Sequence, residues 1–198
     1  FFTCNEKDIH DCNIYIVTVP TPVNHQNKPD FSLIKNATKT LAKYLMAKNL
    51  VIYESTVHPG ATDNICIPLI EKISKLKCDK NNQNYHDKFY CGYSPERINP
   101  GDKTHTLKKI KKLVSGSSFS SLRKVSNLYK SIGIDVFPTD SIMIAEAAKI
   151  IENTQRDLNI ALINELSIIF DKMKLNTYKI LKAAGTKWNF LNFQPGLV

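Results

Sequence analysis

Short apolar runs alternate with helical periodicities along most of this chain. Buried-strand patterns fall at Asn13–Val19 ("NIYIVTV"), Leu50–Glu54, Lys88–Tyr93, around Lys112–Ser115, and at Ile134–Phe137. Between the first two, Leu33, Ile34, Ala37, Leu41 and Leu45 recur at helical spacing, and Asp30 or Ser32 can cap the helix they define. A second helix from about Thr62 carries Ile65, Ile67, Leu69, Ile70 and Ile73, and a third spans about Ser120–Ser131. Strands alternating with helices predict an α/β domain built on a parallel sheet. The polar stretch "KCDKNNQNYHD" reads as an insertion in it.

After Phe137 the alternation stops. From Ser141 to about Lys172 the pattern is helical with no Pro or Gly, roughly 30 residues and so ~45 Å long. A helix of that length outruns one domain layer and can join two domains, which places a boundary near residue 140: one domain over 1–140, another over 141–198. A shorter helix, Thr177–Ala184, stops at Gly185, and the tail "TKWNFLNFQPGLV" is loop-like and aromatic.

Within the long helix, Lys149, Asn153 and Arg156 project into an arc of roughly 60°, with Glu146 beside it. Ala147, Ile150, Ile151, Leu158, Ala161 and Leu162 make a broad apolar face on the other side, expected to pack into a core. The polar row has two readings, a solvated face or a ligand-facing one.

Composition narrows the class. With 198 residues and 42% hydrophobic content the chain can bury a core. Its apolar runs are far shorter than the ~20 residues that span a bilayer, so no membrane segment is expected. The start "FFTCNEKDIHDCN" has neither a signal-peptide pattern nor an initiator Met, and the chain is expected to begin inside a longer protein. Five cysteines, an odd number without CxxC spacing, suit a reducing cytoplasm without structural zinc. A net charge of +9 would attract an acidic partner, but the cluster "LKKIKKL" lacks the interleaved aromatics of a single-strand-binding groove, and nucleic acid is not expected. His58 and His105 lie in loops, and no pair of histidines shows metal-ligand spacing.

Open α/β sheets bind ligands beyond the carboxyl ends of their strands, so the strand-exit loops carry the candidate chemistry. "VPTP" offers the Thr21 hydroxyl. "ESTVHPG" offers Ser55 and Thr56 before a helix N-terminus, a place that favours anionic or ribose-bearing ligands. "YSPERINPGD" holds Glu96 and Arg97 between prolines. Three such loops together with Lys149, Asn153 and Arg156 would line a cleft with cations, hydroxyls and a carboxylate, suited to a diphosphate-bearing substrate. No GxGxxG follows the first strand.

The segments "VTVPTPV", "ESTVHPGAT", "GYSPERINPGDKTH", "AEAAKIIENTQRDLNIALINEL" and "AAGTKWNFLNFQPGLV" resemble the nucleotide-sugar 6-dehydrogenases of the UDP-glucose/GDP-mannose dehydrogenase group. The resemblance covers essentially the whole chain. It is nearest to the branch that oxidises UDP-N-acetylhexosamines (GlcNAc, GalNAc or ManNAc) for bacterial capsule and O-antigen polysaccharide. It implies the latter part of a Rossmann-like NAD-binding domain followed by a long-helix central dimerisation domain, in a cytoplasmic homodimer joined through that helix. It implies NAD-dependent oxidation of the sugar C6 alcohol to the uronate in two steps, through a thiohemiacetal and thioester on a cysteine.

Carried over by motif, the resemblance gives Thr21, Ser55 and Thr56 to NAD, with Thr56 also holding the catalytic water. Glu96 becomes the general base for thioester hydrolysis, Lys149 the oxyanion stabiliser and proton shuttle, and Asn153 the residue that positions sugar and charge. Arg97, Ile98, Arg156, Lys187 and Asn189 would hold the substrate.

The departures are as definite. Pro100 stands four positions after Glu96, where the glucose branch has a second glutamate. The first βαβ unit with its glycine-rich loop and the "GGHC"-like cysteine expected just after Val198 are missing, and none of Cys4, Cys12, Cys66, Cys78 or Cys91 fits that context. The segment alone is therefore expected to be inactive. The alternative is a non-catalytic, dimerising remnant of such an enzyme.

Overall fold

A computed structural model describes residues 1–81, 85–98, 103–104 and 106–197. The chain divides into two compact units, Phe1–Lys149 and Ile150–Val198.

The first unit holds strands β1 (Ile14–Val17), β2 (Leu50–Tyr53), β3 (Lys77–Cys78), β4 (Lys88–Tyr93), β5 (Lys111–Gly116) and β6 (Asp135–Pro138). Its helices are α1 (Ser32–Tyr44), α2 (Ile67–Ser74), which continues a π-helical turn at Thr62–Cys66, α3 (Phe119–Ser131), and the first turns of α4 (Ile142–Lys172). The sheet order is β1-β2-β4-β5-β6, with β3 beside β4. Strands β1, β2 and β4 are parallel and level, Val17 opposite Tyr53 and Tyr53 opposite Tyr93.

One pair departs from the all-parallel expectation. β5 runs antiparallel to β4, with Gly92 opposite Gly116 and Tyr93 opposite Ser115. A parallel neighbour needs a crossover, usually a helix, and the β4–β5 connection holds no helix among its described residues. The α3 crossover then makes β5 and β6 parallel. Reversal brings the start of β5, Lys111 and Lys112, to the carboxyl end of β4. The stretch read as a polar insertion also contributes the short strand β3.

Both faces of the sheet are covered at its centre, around β2 and β4. Val51 and Tyr53 of β2, with Cys91 and Tyr93, pack on one face against Ile34, Leu41, Ile67, Ile70 and Ile142. Leu50 and Ile52 turn to the other and meet Val114, Val125, Tyr129 and Ile134. Two buried faces explain why β2 is a continuous apolar run. Gly92 is a requirement of close packing, since a Cβ there would lie 2.5 Å from Val125 Cγ2 and 2.7 Å from Ser115 O. At α1 the N-cap position is Phe31, whose side chain makes no capping bond; Asp30, one residue earlier, accepts from Ser32 N (2.8 Å) instead, and Ser32 is the first helical residue. Leu33, one of the apolar positions at helical spacing, is exposed, and Ile34, Thr38, Leu41 and Ala42 define the buried face.

The second unit comprises the rest of α4 and α5 (Thr177–Ala184), with Ile163 and Leu181 buried. Asn176 caps α5 through Lys179 N (3.0 Å). The tail is held by Asn164, whose amide accepts from Gly196 N (2.9 Å) and donates to Gly196 O (2.8 Å). The apolar face of α4 does not enter a core as expected. Ile151 is 68% exposed, Leu158 63% and Leu162 55%, because the chain has too few other elements there to cover them.

Candidate active site

The level ends of β1, β2 and β4 set three exit loops along one edge of the sheet. The backbone continues the ladder just past the strands, with Glu54 N donating to Val17 O and Ser94 N to Tyr53 O, both 2.9 Å. Ser55 is buried and its hydroxyl donates to Val19 O (2.6 Å), tying the β2 exit to the β1 exit. Thr56 follows, half-buried. On the β1 exit, the Thr21 Oγ1 is buried and meets no hydrogen-bond partner among the described residues.

The β4 exit is organised by Glu96. Its Oε1 accepts from Arg97 N (2.7 Å) and Ile98 N (2.6 Å), which folds the loop back on the carboxylate. Arg97 Nη1 donates to Lys111 O (2.7 Å), a contact that exists because β5 reverses. Lys149, on α4, donates through Nζ to the Glu96 carbonyl. The sequence-predicted pair Glu96 and Lys149 is thus brought together, through the backbone of one and the ammonium of the other.

Two buried groups near these loops were not among the predicted site residues. Glu146, read from the sequence only as a neighbour of the polar row, is fully buried. Its Oε2 accepts from Gly60 N (2.6 Å), and its Oε1 from Thr62 N (2.9 Å) and Thr62 Oγ1 (2.7 Å). Burial pushes its carboxyl above the ordinary range, while these donors pull it back. The second group joins Glu54, Lys112 and Tyr129. Lys112 Nζ lies 3.2 Å from Glu54 Oε1 and 5.0 Å from the Tyr129 ring centroid, and the Tyr129 hydroxyl donates to the same Oε1. Burial, then the Glu54 carboxylate, push the Tyr129 phenol well up.

In the second unit, Arg156 Nη2 donates to Asn153 Oδ1 (3.1 Å). Both line a cavity of about 330 Å³ with Thr154, Asp157, Ile160 and Leu197. Lys187 and Asn189 are exposed on the turn after α5, where Lys187 O accepts from Phe190 N. Among the described residues no group of three or more His, Cys, Asp or Glu could hold a metal, and no helix is long and apolar enough to cross a membrane. Pro100 and His105 lie outside the described residues.

Comparison with known proteins adds the family. The model described as "UDP-glucose/GDP-mannose dehydrogenase family, NAD binding domain" matches residues 1–133, and that of the family's central domain matches residues 143–198. The chain belongs to the UDP-glucose/GDP-mannose dehydrogenase family. Within it, Protein CapL of Staphylococcus aureus is 51% identical over 198 residues, all of this chain and 45% of that protein. The UDP-N-acetyl-D-glucosamine 6-dehydrogenase of Pseudomonas aeruginosa is 52% identical over the same share of each chain. The solved UDP-D-ManNAc dehydrogenase of Pyrococcus horikoshii superposes with a TM-score of 0.86 at 31% identity, over 98% of this chain and 44% of its own. This member of the dehydrogenase family therefore spans about 45% of the length of the curated relatives it matches.

The family's NAD-binding domain is consistent with one local observation. A buried hydroxyl without a partner costs about 1–3 kcal/mol, and Thr21 carries one on the β1 exit, where a bound cofactor's polar groups can satisfy it. What sequence reading missed had weak local signals. Glu146 stands one helical turn before Lys149, and Lys112 directly precedes the apolar "LV", where its neighbouring lysines obscure it.

Proposed function

We propose that this chain is a segment of a UDP-N-acetylhexosamine 6-dehydrogenase, contributing the latter part of the NAD-binding domain and the central domain, divided near residue 140. The observation that carries the reading is the contact of Lys149 with the Glu96 backbone at an edge where three parallel-strand exits also converge. Relatives about half identical over the whole chain support it, two of them UDP-N-acetyl-D-glucosamine 6-dehydrogenases, from Pseudomonas aeruginosa and Salmonella typhi.

In this reading Thr21, Ser55 and Thr56 hold the cofactor, and NAD when bound supplies the hydride acceptor for oxidation at the sugar C6. Lys149 stabilises negative charge developing on the C6 oxygen, and Asn153 orients the sugar against it. Glu96 takes the proton of a water that Thr56 helps to place, the water that releases the uronate. Arg97, Ile98, Arg156, Lys187 and Asn189 hold the nucleotide sugar, with the arginines as anion forks. The nucleophilic cysteine comes from outside these residues. The product serves bacterial capsule or O-antigen synthesis, and the enzyme works in the cytoplasm.

The exposed α4 face supports a homodimer joined through that helix, since a contiguous apolar surface on one element calls for a partner. The outer edge of β1 supports a sheet that continues further, because β1 pairs only with β2 among the described residues and a groove of about 460 Å³ lies along it, lined in part by Ile14, Ile16, Val19 and Leu41. The second reading is a dimerising remnant without catalysis.

The test is an assay of this chain with NAD and UDP-N-acetylglucosamine or UDP-N-acetylgalactosamine. No rise at 340 nm is expected. The coding sequence on either side separates the readings, with an upstream GxGxxG and a downstream GGxC deciding for the enzyme and stop codons for the remnant. A steady rise from the 198 residues alone contradicts the segment reading.

A further inference from the structure

The two functional loops that flank the start of α4 are fastened to it by consecutive turns of that one helix. Glu146 grips the end of the β2 exit loop through Gly60 and Thr62, and Lys149, one turn later, reaches the β4 exit loop at Glu96 O. The grip is unusually committed. Both oxygens of the carboxylate accept backbone N–H groups, Oε1 accepts the Thr62 hydroxyl as well, and the residue has no exposed surface. Gly60 has φ of +88°, and a Cβ there would fall 2.9 Å from Asn64 Nδ2, so the loop turns back at this residue in a conformation other side chains rarely adopt. The turn delivers its N–H to the carboxylate.

Burying a carboxylate is costly unless its acceptors are satisfied, and here the satisfying donors all come from the loop that carries Ser55 and Thr56. The helix cannot rotate or slide by a fraction of a turn without stripping that carboxylate. Lys149 is rigidly attached to the same backbone.

We infer that Glu146 is a positioning residue: by clamping Gly60 and Thr62 it fixes the rotation of α4 and thereby holds the Lys149 ammonium on the Glu96 loop, in register with Thr56. The inference rests on the reading of Lys149 as a functional group. Its test needs no turnover, so a failure of that reading and a failure of this one are distinguishable.

The measurement is competitive labelling of lysines in the intact chain with a limiting acylating reagent, read residue by residue by mass spectrometry. Lys88, held by Asp79 at 2.7 Å in a separate cluster, is the internal reference. Glu146→Gln keeps the size but turns an amide N–H₂ toward one of the loop's donors. It is expected to raise Lys149 labelling relative to Lys88 roughly fivefold, the factor that loss of one ordinary hydrogen bond allows. Thr62→Val leaves the carboxylate and both backbone donors, and is expected to raise it by a smaller factor. It also carries the test if Glu146→Gln does not fold. Unchanged Lys149 labelling in the folded variants overturns the inference, and so does an equal rise at Lys88, which signals general loosening.

Discussion

Lys112 and Glu54 meet 3.2 Å apart with side chains only 3% and 13% exposed, and the Tyr129 hydroxyl closes the group by donating to the same carboxylate. Glu54 directly precedes the Ser55–Thr56 loop, so this pair sits beneath the proposed cofactor edge. Removing one partner of a buried pair leaves the other uncompensated, at a cost of about 3–5 kcal/mol, whereas apolar replacement of both is close to neutral. Lys112→Met alone is therefore expected to destabilise the chain by about that amount, and Lys112→Met with Glu54→Leu to recover part of it, since the Tyr129 hydroxyl then loses its carboxylate acceptor. Urea unfolding of the two singles and the double measures the coupling, and additive losses contradict it.

Thr21 offers the opposite sign. Its hydroxyl is buried without a partner among the described residues, so Thr21→Val is expected to leave the free chain as stable as before, or more stable by up to about 1 kcal/mol. The same change should weaken NAD binding wherever the complete cofactor domain is present. Thermal melts and NAD titration check the two halves, and a clear loss of stability in the free chain argues that the hydroxyl already has a partner.

The cysteines divide by burial. Burial pushes the Cys66 thiol up to about 11 and Cys78 up to about 12, and Cys91 well above its usual value, while Cys4 and Cys12 are exposed. At pH 8 iodoacetamide is expected to modify Cys4 and Cys12 and to spare the other three until the chain unfolds. The sign of the pH dependence follows. The folded state keeps these protons while unfolded thiols release theirs above about pH 8.5, so stability falls as pH rises from there toward 11. A midpoint in urea that stays flat across this window contradicts the burial of the thiols.

Much of this was legible in the sequence, for a physical reason. The central strand β2 read correctly because burial on both faces of a sheet demands a continuous apolar run, and α4 because thirty residues without Pro or Gly kept one periodicity. The direction of β5 was not legible. It depends on how Gly92 and Tyr93 pair with Gly116 and Ser115, a long-range choice that no local pattern encodes. Lys112 was hidden by the same choice, since only the reversed strand carries it inward to Glu54. Glu146 shows the limit most clearly: its partners lie 84 and 86 residues away, and spacing on its own helix could not separate a buried clamp from a solvated charge. The apolar face of α4 was correctly seen as a face, but the core it was expected to enter is not supplied by the described residues of this chain.

That face yields a prediction on assembly. With Ile151, Leu158 and Leu162 each more than half exposed on one helix, the chain is expected to sediment at twice its 22.4 kDa mass. Leu158→Glu should shift it to the monomer without altering its circular dichroism. A wild-type chain that stays monomeric at high micromolar concentration contradicts a dimer through α4.

The proposed function makes residues 1–198 a segment of a nucleotide-sugar 6-dehydrogenase in which Lys149 serves the chemistry. It is tested most directly by counting NADH formed per sugar by the longest product of the coding sequence containing these residues, supplied with UDP-GlcNAc, UDP-GalNAc and UDP-ManNAc. One substrate is expected to give two NADH and one uronate, and Lys149→Met to reduce the rate by about 100-fold or more, the scale for losing one oxyanion-stabilising donor. A product that carries both an upstream GxGxxG and a downstream GGxC yet forms no NADH with any of the three contradicts the account, as does a Lys149→Met variant that turns over like the wild type.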